Sequence, residues 1–180
     1  FVLFPQELKV SKRMRPYFNQ KKFSYTFDQN FEQIIQACQQ QWRKGQGGGT
    51  WISDDMIAAY CQLHQLGYAH SVEVWQIGVV GGGLYGVCIG KIFFGESMFA
   101  KVSNASKAGF ITIVRILEER GFWLIDCQQE TQHLKSLGGR AIPRSQFLGH
   151  IVKNEKEHSL TVNWGTLFDE KCISNSYIFE

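Results

Sequence analysis

Three side chains stand out for the chemistry they could do: Glu96 within Gly95-Glu96-Ser97-Met98-Phe99, and Asp126 with Gln128 within Leu124-Ile125-Asp126-Cys127-Gln128. Both stretches read as strands or strand ends, on either side of one amphipathic helix. Side chains alternate along a strand, so Asp126 and Gln128 are expected on one face and Cys127 on the other. Polar groups on a half-buried strand need partners when dry. An Asp is a poor general base unless burial raises its pKa, so hydrogen-bonding and electrostatic work is the chemistry expected of the Asp126–Gln128 pair. The structural alternative is that Asp126 caps the following helix and Gln128 satisfies a loop. Pattern alone leaves both open.

Other reactive groups carry less. Ser97 and Cys127 have no neighbour in sequence that would activate a nucleophile. The five histidines are scattered, with no HxH or HxxxH spacing, so no metal site is expected. His70 reads as a structural histidine. Residues 81–86 formally match GxGxxG, but a strand pattern follows where a dinucleotide site needs a helix. They read instead as a turn over residues 79–83 and a strand that another backbone approaches closely. Residues 98–107 contain no glycine, which counts against a loop that cradles the pyrophosphate of coenzyme A.

The elements that must hold these residues follow from periodicity. Residues 4–10 read as extended and 12–17 as a short basic helix or turn ended by Pro16. Residues 23–27 alternate as a strand, and Asp28 is placed to cap the next helix, whose core face is Phe31, Ile34, Ile35 and Cys38. A glycine-rich loop spans residues 45–49. Ser53 then caps a helix with Met56, Tyr60 and Leu63 inward, closed by Gly67. Strands follow at 72–78, 84–89 and 92–94, making an antiparallel meander. A central helix, capped by Ser103 or Asn104 and ended by Arg120-Gly121, leads to a strand at 122–127. Short helices are expected at 131–137 and 144–151. The sum is an α+β fold with an acyltransferase-like mixed sheet and one crossover helix.

Composition bounds the rest. A chain of 180 residues, 44% hydrophobic and 14% aromatic, suits one cored domain, or one domain with an appendage. Five cysteines without a CxxC argue against a disulfide framework or a zinc site and for reduced thiols in the cytoplasm. No signal peptide and no membrane-length apolar run is visible. The net charge of +3 is mild, yet Lys9, Lys12, Arg13, Arg15, Lys21 and Lys22 crowd one stretch interleaved with Tyr17, Phe18 and Phe23. Cations suit phosphates and aromatic rings suit bases, so nucleic acid competes there with a plain solvated face.

Several ordered motifs carry a resemblance: residues 49–52, 59–60 with 63–67, 69–75, 82–87, 95–99, Ala105-Ser106-Lys107, 124–128 and 136–148. From about Leu3 to Ile151 the chain resembles the leucyl/phenylalanyl-tRNA–protein transferases. The resemblance implies a general N-acetyltransferase fold over residues 28–151, a basic segment at 1–27 packing on it, and an unmatched tail at 152–180. It implies transfer of Leu, Phe or Met from aminoacyl-tRNA to the N-terminal Arg or Lys of acceptor proteins, without a cofactor. It places Asp126, Gln128 and Glu96 in catalysis and acceptor binding. Trp51, Tyr60, Leu84, Met98, Phe110 and Ile113, otherwise plain core candidates, would line the aminoacyl pocket. The basic residues of the 9–22 stretch would meet the tRNA acceptor stem, mainly through phosphates. Relatives usually carry a further small domain before the position of Leu3, which this sequence does not contain. A monomer is expected, and the alternative to an enzyme is a tRNA- or peptide-binding remnant of the same fold.

Overall fold

A computed structural model describes residues 1–41 and 51–168. The glycine-rich loop at 45–49, Cys172 and the tail beyond 168 lie outside the described residues. The described chain forms a mixed six-stranded sheet in the order β1-β6-β5-β4-β3-β2. β2 (Ser24–Phe27), β3 (Ala69–Gln76), β4 (Val79–Ile89) and β5 (Ile92–Ala100) make the expected antiparallel meander. Helix α4 (Ala105–Glu119) then leads to β6 (Leu124–Asp126), which pairs parallel to β5, while β1 (Val2–Leu3) pairs antiparallel to β6. This is the α+β sheet with a crossover helix that the periodicity predicts.

The sheet is buried on both faces, and strand alternation divides its side chains between two cores. Val72, Val74 and Leu84 pack with α4 residues such as Ala108, Ile111 and Val114. Ala69, Tyr85 and Phe99 pack on the opposite side against Phe31, Ile34, Ile35 and Cys38 of α2 (Phe31–Gln40). Helix α3 (Asp54–Gln65) adds half-buried Ile57, Tyr60, Cys61 and Leu63 to that second core, and Ser53 caps it by accepting from the Met56 amide at 3.3 Å.

Four local expectations are corrected. Residues 79–83 are not a turn but part of β4, the turn falling one step earlier at Ile77-Gly78. The glycines serve close packing instead: a Cβ on Gly82 would stand 2.7 Å from the Ala105 Cβ, so β4 can lie directly under α4. Pro16 does not end the basic helix but sits in the first turn of α1 (Arg15–Asn19), where its missing N–H costs nothing. Asp28 does not cap α2; its backbone turns left-handed (φ 56°) and its carboxylate goes into the core. Residues 4–10 are not wholly extended, since Pro5–Glu7 form a 3₁₀ turn. Asn104 does occupy the N-cap position of α4, but without a side-chain bond to the helix.

Residues after 151 continue into the body of the protein. Helix α6 (Arg144–Asn154) ends on a buried Asn154, whose Oδ1 accepts from the Lys91 amide at 2.7 Å and whose Nδ2 donates to the Ile89 carbonyl at 2.8 Å. This clamps the β4–β5 turn. Trp164, in the short α7 (Trp164–Leu167), is fully buried and stacks on His70 with ring centroids 3.8 Å apart.

Candidate active site

The cleft follows from a parting of strands. β5 and β6 pair only over Ile92–Phe94 and Leu124–Asp126, after which β5 runs on to Ala100 paired with β4 on its other side only. Between its second half and the chain after β6 opens a cavity of about 630 Å³. Leu84, Phe93, Met98, Phe110 and Leu134 give it an apolar wall, and Trp51 stands at its edge, 41% exposed. Glu96, Ser97, Gln128, Thr131 and His133 give it polar groups.

A bulge presents Glu96. Tyr85 pairs with Ser97 and Gly86 with Gly95, so Glu96 is the extra residue on β5. Such a residue leaves the ladder and re-aims its side chain. Gly95, Glu96, Ser97 and Met98 consequently all line the cleft, which strict alternation would forbid. A Cβ on Gly86 would stand 2.3 Å from the Phe94 carbonyl, so only glycine fits opposite the bulge. The Tyr60 phenol hydrogen-bonds the Glu96 carboxylate; burial, and then that negative charge, push its pKa up to about 12.

The second polar wall starts where β6 stops. Asp126 is its last residue, and the chain turns at once: Gln128 is left-handed (φ 59°) and the Gln129 amide bonds the Cys127 carbonyl at 2.6 Å. Asp126 Oδ1 accepts from the Gln128 amide at 2.9 Å, which holds that turn. Alternation therefore does not continue past Asp126: Cys127 and Gln128 both line the cleft, while Asp126, expected in the site, does not line it and touches it only through the turn it holds at Gln128. Asp126 does not cap the next helix; Thr131 does so for α5 (Gln132–Ser136), accepting from the Leu134 amide at 3.1 Å. The Cys127 thiol is pushed up to about 12 by burial and then by the Asp126 carboxylate, which makes it an inert wall atom rather than a nucleophile.

The family profile of leucyl/phenylalanyl-tRNA protein transferase matches residues 2–152. The chain belongs to the leucyl/phenylalanyl-tRNA protein transferase family. It is 54% identical over 151 residues to the transferase of Azotobacter vinelandii, covering 84% of this chain and 66% of that one. It is 53% identical over 154 residues to the transferase of Flavobacterium johnsoniae, covering 86% of this chain and 72% of that one. The transferase of Syntrophus aciditrophicus is 50% identical over 166 residues, 92% of this chain and 69% of its own. The chain thus spans about two thirds of the length of these curated relatives.

Of the residues singled out from sequence, Glu96, Gln128, Trp51, Leu84, Met98 and Phe110 meet in this cleft, and Asp126 does not line it. Tyr60 stands behind it, packed edge-on against Tyr85 with centroids 5.3 Å apart and bonded to Glu96. Ile113, on α4, is fully buried in the core and does not line the cleft. Of the basic residues, Lys9, Lys12, Arg13, Lys21 and Lys22 are exposed and Arg15 is half-buried. Lys22 Nζ lies 5.2 Å from the Tyr17 ring centroid, and Tyr17 stacks on Phe23. The Tyr17 hydroxyl accepts from Asn104 Nδ2 at 2.9 Å, tying the basic segment to the start of α4. Sequence reading missed His133 and Thr131 as cleft residues. Their only signal was position, just after Gln128. Among the described residues no helix is long and apolar enough to cross a membrane.

Proposed function

We propose that this protein joins Leu, Phe or Met from aminoacyl-tRNA to the N-terminal Arg or Lys of acceptor proteins, marking them for degradation by the N-degron route in the cytoplasm. One observation carries this reading: a single cleft joins an apolar wall, suited to an uncharged side chain, to the Glu96 carboxylate, suited to a cationic one. The relatives' names supply the class of reaction.

The chemistry asks little of the protein. The ester donor is already activated, and an α-amine with a pKa of about 7.7–8.0 is in useful part neutral near pH 7. Positioning the amine against the ester carbonyl provides much of the acceleration. Gln128 and Asp126 orient the amine and ease departure of its proton through hydrogen bonding, not as a strong base. The left-handed turn at Gln128 supports this, because strain of that kind persists where surrounding structure holds it. Glu96 selects the cationic acceptor residue, held by Tyr60. Trp51, Leu84, Met98 and Phe110 receive the aminoacyl side chain by size and apolarity, with Tyr60 and Ile113 supporting that wall from behind. Lys9, Lys12, Arg13, Arg15, Lys21 and Lys22 meet tRNA phosphates. The protein acts as a monomer and without a cofactor.

The test follows labelled leucine from leucyl-tRNA onto peptides beginning with Arg, Lys or Ala. Transfer to the first two alone, lost in Asp126→Ala, supports the reading. Salt-dependent tRNA binding with no transfer would make the chain a binding unit instead.

A further inference from the structure

Beside the cleft, next to its lining residues Ser106 and His133, stands a cation with no counter-charge among the described residues. Lys107, in the first turn of α4, is half-buried, and among the described residues no carboxylate stands within 4.0 Å of its Nζ. Its one hydrogen bond is long, 3.4 Å to Ser136 Oγ. Ser106, its neighbour, lines the cleft, and so does His133 from the facing α5. Ser136 Oγ is itself turned back on the His133 carbonyl at 2.7 Å, so α4 and α5 meet at this corner.

His133 registers the same cation. Its pKa is lowered, first by burial and then by the Lys107 charge, which keeps the ring neutral beside it. Its Nε2 is buried and has no hydrogen-bond partner. A half-buried cation and a buried polar nitrogen both cost stability when left alone. Together they describe a corner that lacks an anion. The other charged groups about this corner are Lys135 and Glu130, which pair with each other outside it.

We propose that Lys107, with Ser106 and His133, forms an anion subsite at the edge of the cleft that binds a phosphate of the donor, the one next to its terminal nucleoside. This rests on the aminoacyl-tRNA reading above. It assigns the phosphate contact nearest the reacting ester to α4 and α5, away from the basic segment at 9–22. A phosphate held there sets the register of the donor, so that the ester enters the cleft between Gln128 and Glu96.

Two probes separate the subsite from the reading beneath it. The first compares leucine esterified to the ribose of adenosine with the same ester of adenosine 5′-phosphate, using a peptide that begins with Arg. The phosphorylated donor should have a KM lower by about tenfold or more, as a charge-assisted contact implies, with kcat little changed. In Lys107→Met and Lys107→Gln the two donors should become equal, and Lys107→Arg should restore part of the preference. The second probe is inorganic phosphate, followed by NMR of the His133 ring. Phosphate should raise its titration midpoint in the wild type and leave both neutral variants unmoved. A phosphate preference that survives in Lys107→Met and Lys107→Gln overturns the subsite, as does a His133 ring indifferent to phosphate in the wild type. If neither ester is used while phosphate still moves His133, the subsite stands and the transferase reading fails.

Discussion

Two clusters of polar side chains sit at opposite ends of the sheet, and they use their carboxylates differently. In the first, Asp28 is buried and fully occupied: His70 Nδ1 and the Trp164 amide both donate to its Oδ2, at 2.8 and 2.7 Å, and the Ser71 amide to its Oδ1 at 2.9 Å. Glu73, also buried, accepts from the hydroxyls of Thr26 and Ser71 at 2.5 and 2.6 Å. In the second, Glu96 lines an open cavity and is bonded by Tyr60, and Asp126 holds the turn that brings Gln128 into the same cavity. A buried His–Asp pair is what a search for acid–base chemistry would find first. Here the pair does not line the cleft, and it fastens residues 163–168 to β2 and β3. Unspent hydrogen-bonding capacity beside a cavity, not pairing, marks the site.

The contrast breaks most easily at the anchor. Trp164→Ala removes a fully buried side chain stacked on His70 and should cost about 3–5 kcal/mol. That is a fall in Tm on the order of 10 °C for a chain of this size, read by thermal melting. Transfer per folded molecule should persist, measured below the new midpoint. If transfer is lost while the fold is intact, the two regions are coupled and the contrast is wrong.

The next effect lies at the cleft. Glu96→Gln keeps the shape and removes the charge. It should raise KM for a peptide beginning with Arg about tenfold or more, the worth of a charge-assisted bond, with Tm close to wild type. An unchanged KM would remove Glu96 from acceptor binding. Gln128→Gly sharpens the comparison further, because it should move stability and activity in opposite directions. Relieving a left-handed non-glycine residue gains up to about 1 kcal/mol, seen in denaturant melts, while transfer falls. The smallest effect is chemical. With its pKa pushed up to about 12 by burial and then by Asp126, the Cys127 thiol stays protonated at pH 8. It should resist iodoacetamide in the native protein and react once unfolded, by mass spectrometry.

The sheet was legible in the sequence because period-2 and period-3.6 patterns report burial, and both cores lie where those patterns put them except at Met56, whose expected place in the second core is taken by Ile57. The meander, the central helix and the strand carrying Asp126 follow from that. Six cleft residues were legible as well, through motifs and not through periodicity. What escaped was set by backbone departures that no pattern encodes. The bulge at Glu96 and the left-handed turn at Gln128 each break alternation, so Cys127 faces the cleft against expectation. Gly82 read as a turn because glycine signals both a bend and a close approach, and only the neighbouring Ala105 decides between them. Asp28 read as a cap because its partners, His70 and Trp164, are distant in sequence.

The most direct test exchanges one atom type at each end. Asp28→Asn and Asp126→Asn are compared for Tm and for leucine transfer to a peptide beginning with Arg. The account predicts that Asp28→Asn loses stability and keeps transfer per folded molecule, while Asp126→Asn keeps stability and loses transfer. The reverse pattern, or equal losses of both properties in both variants, would contradict it.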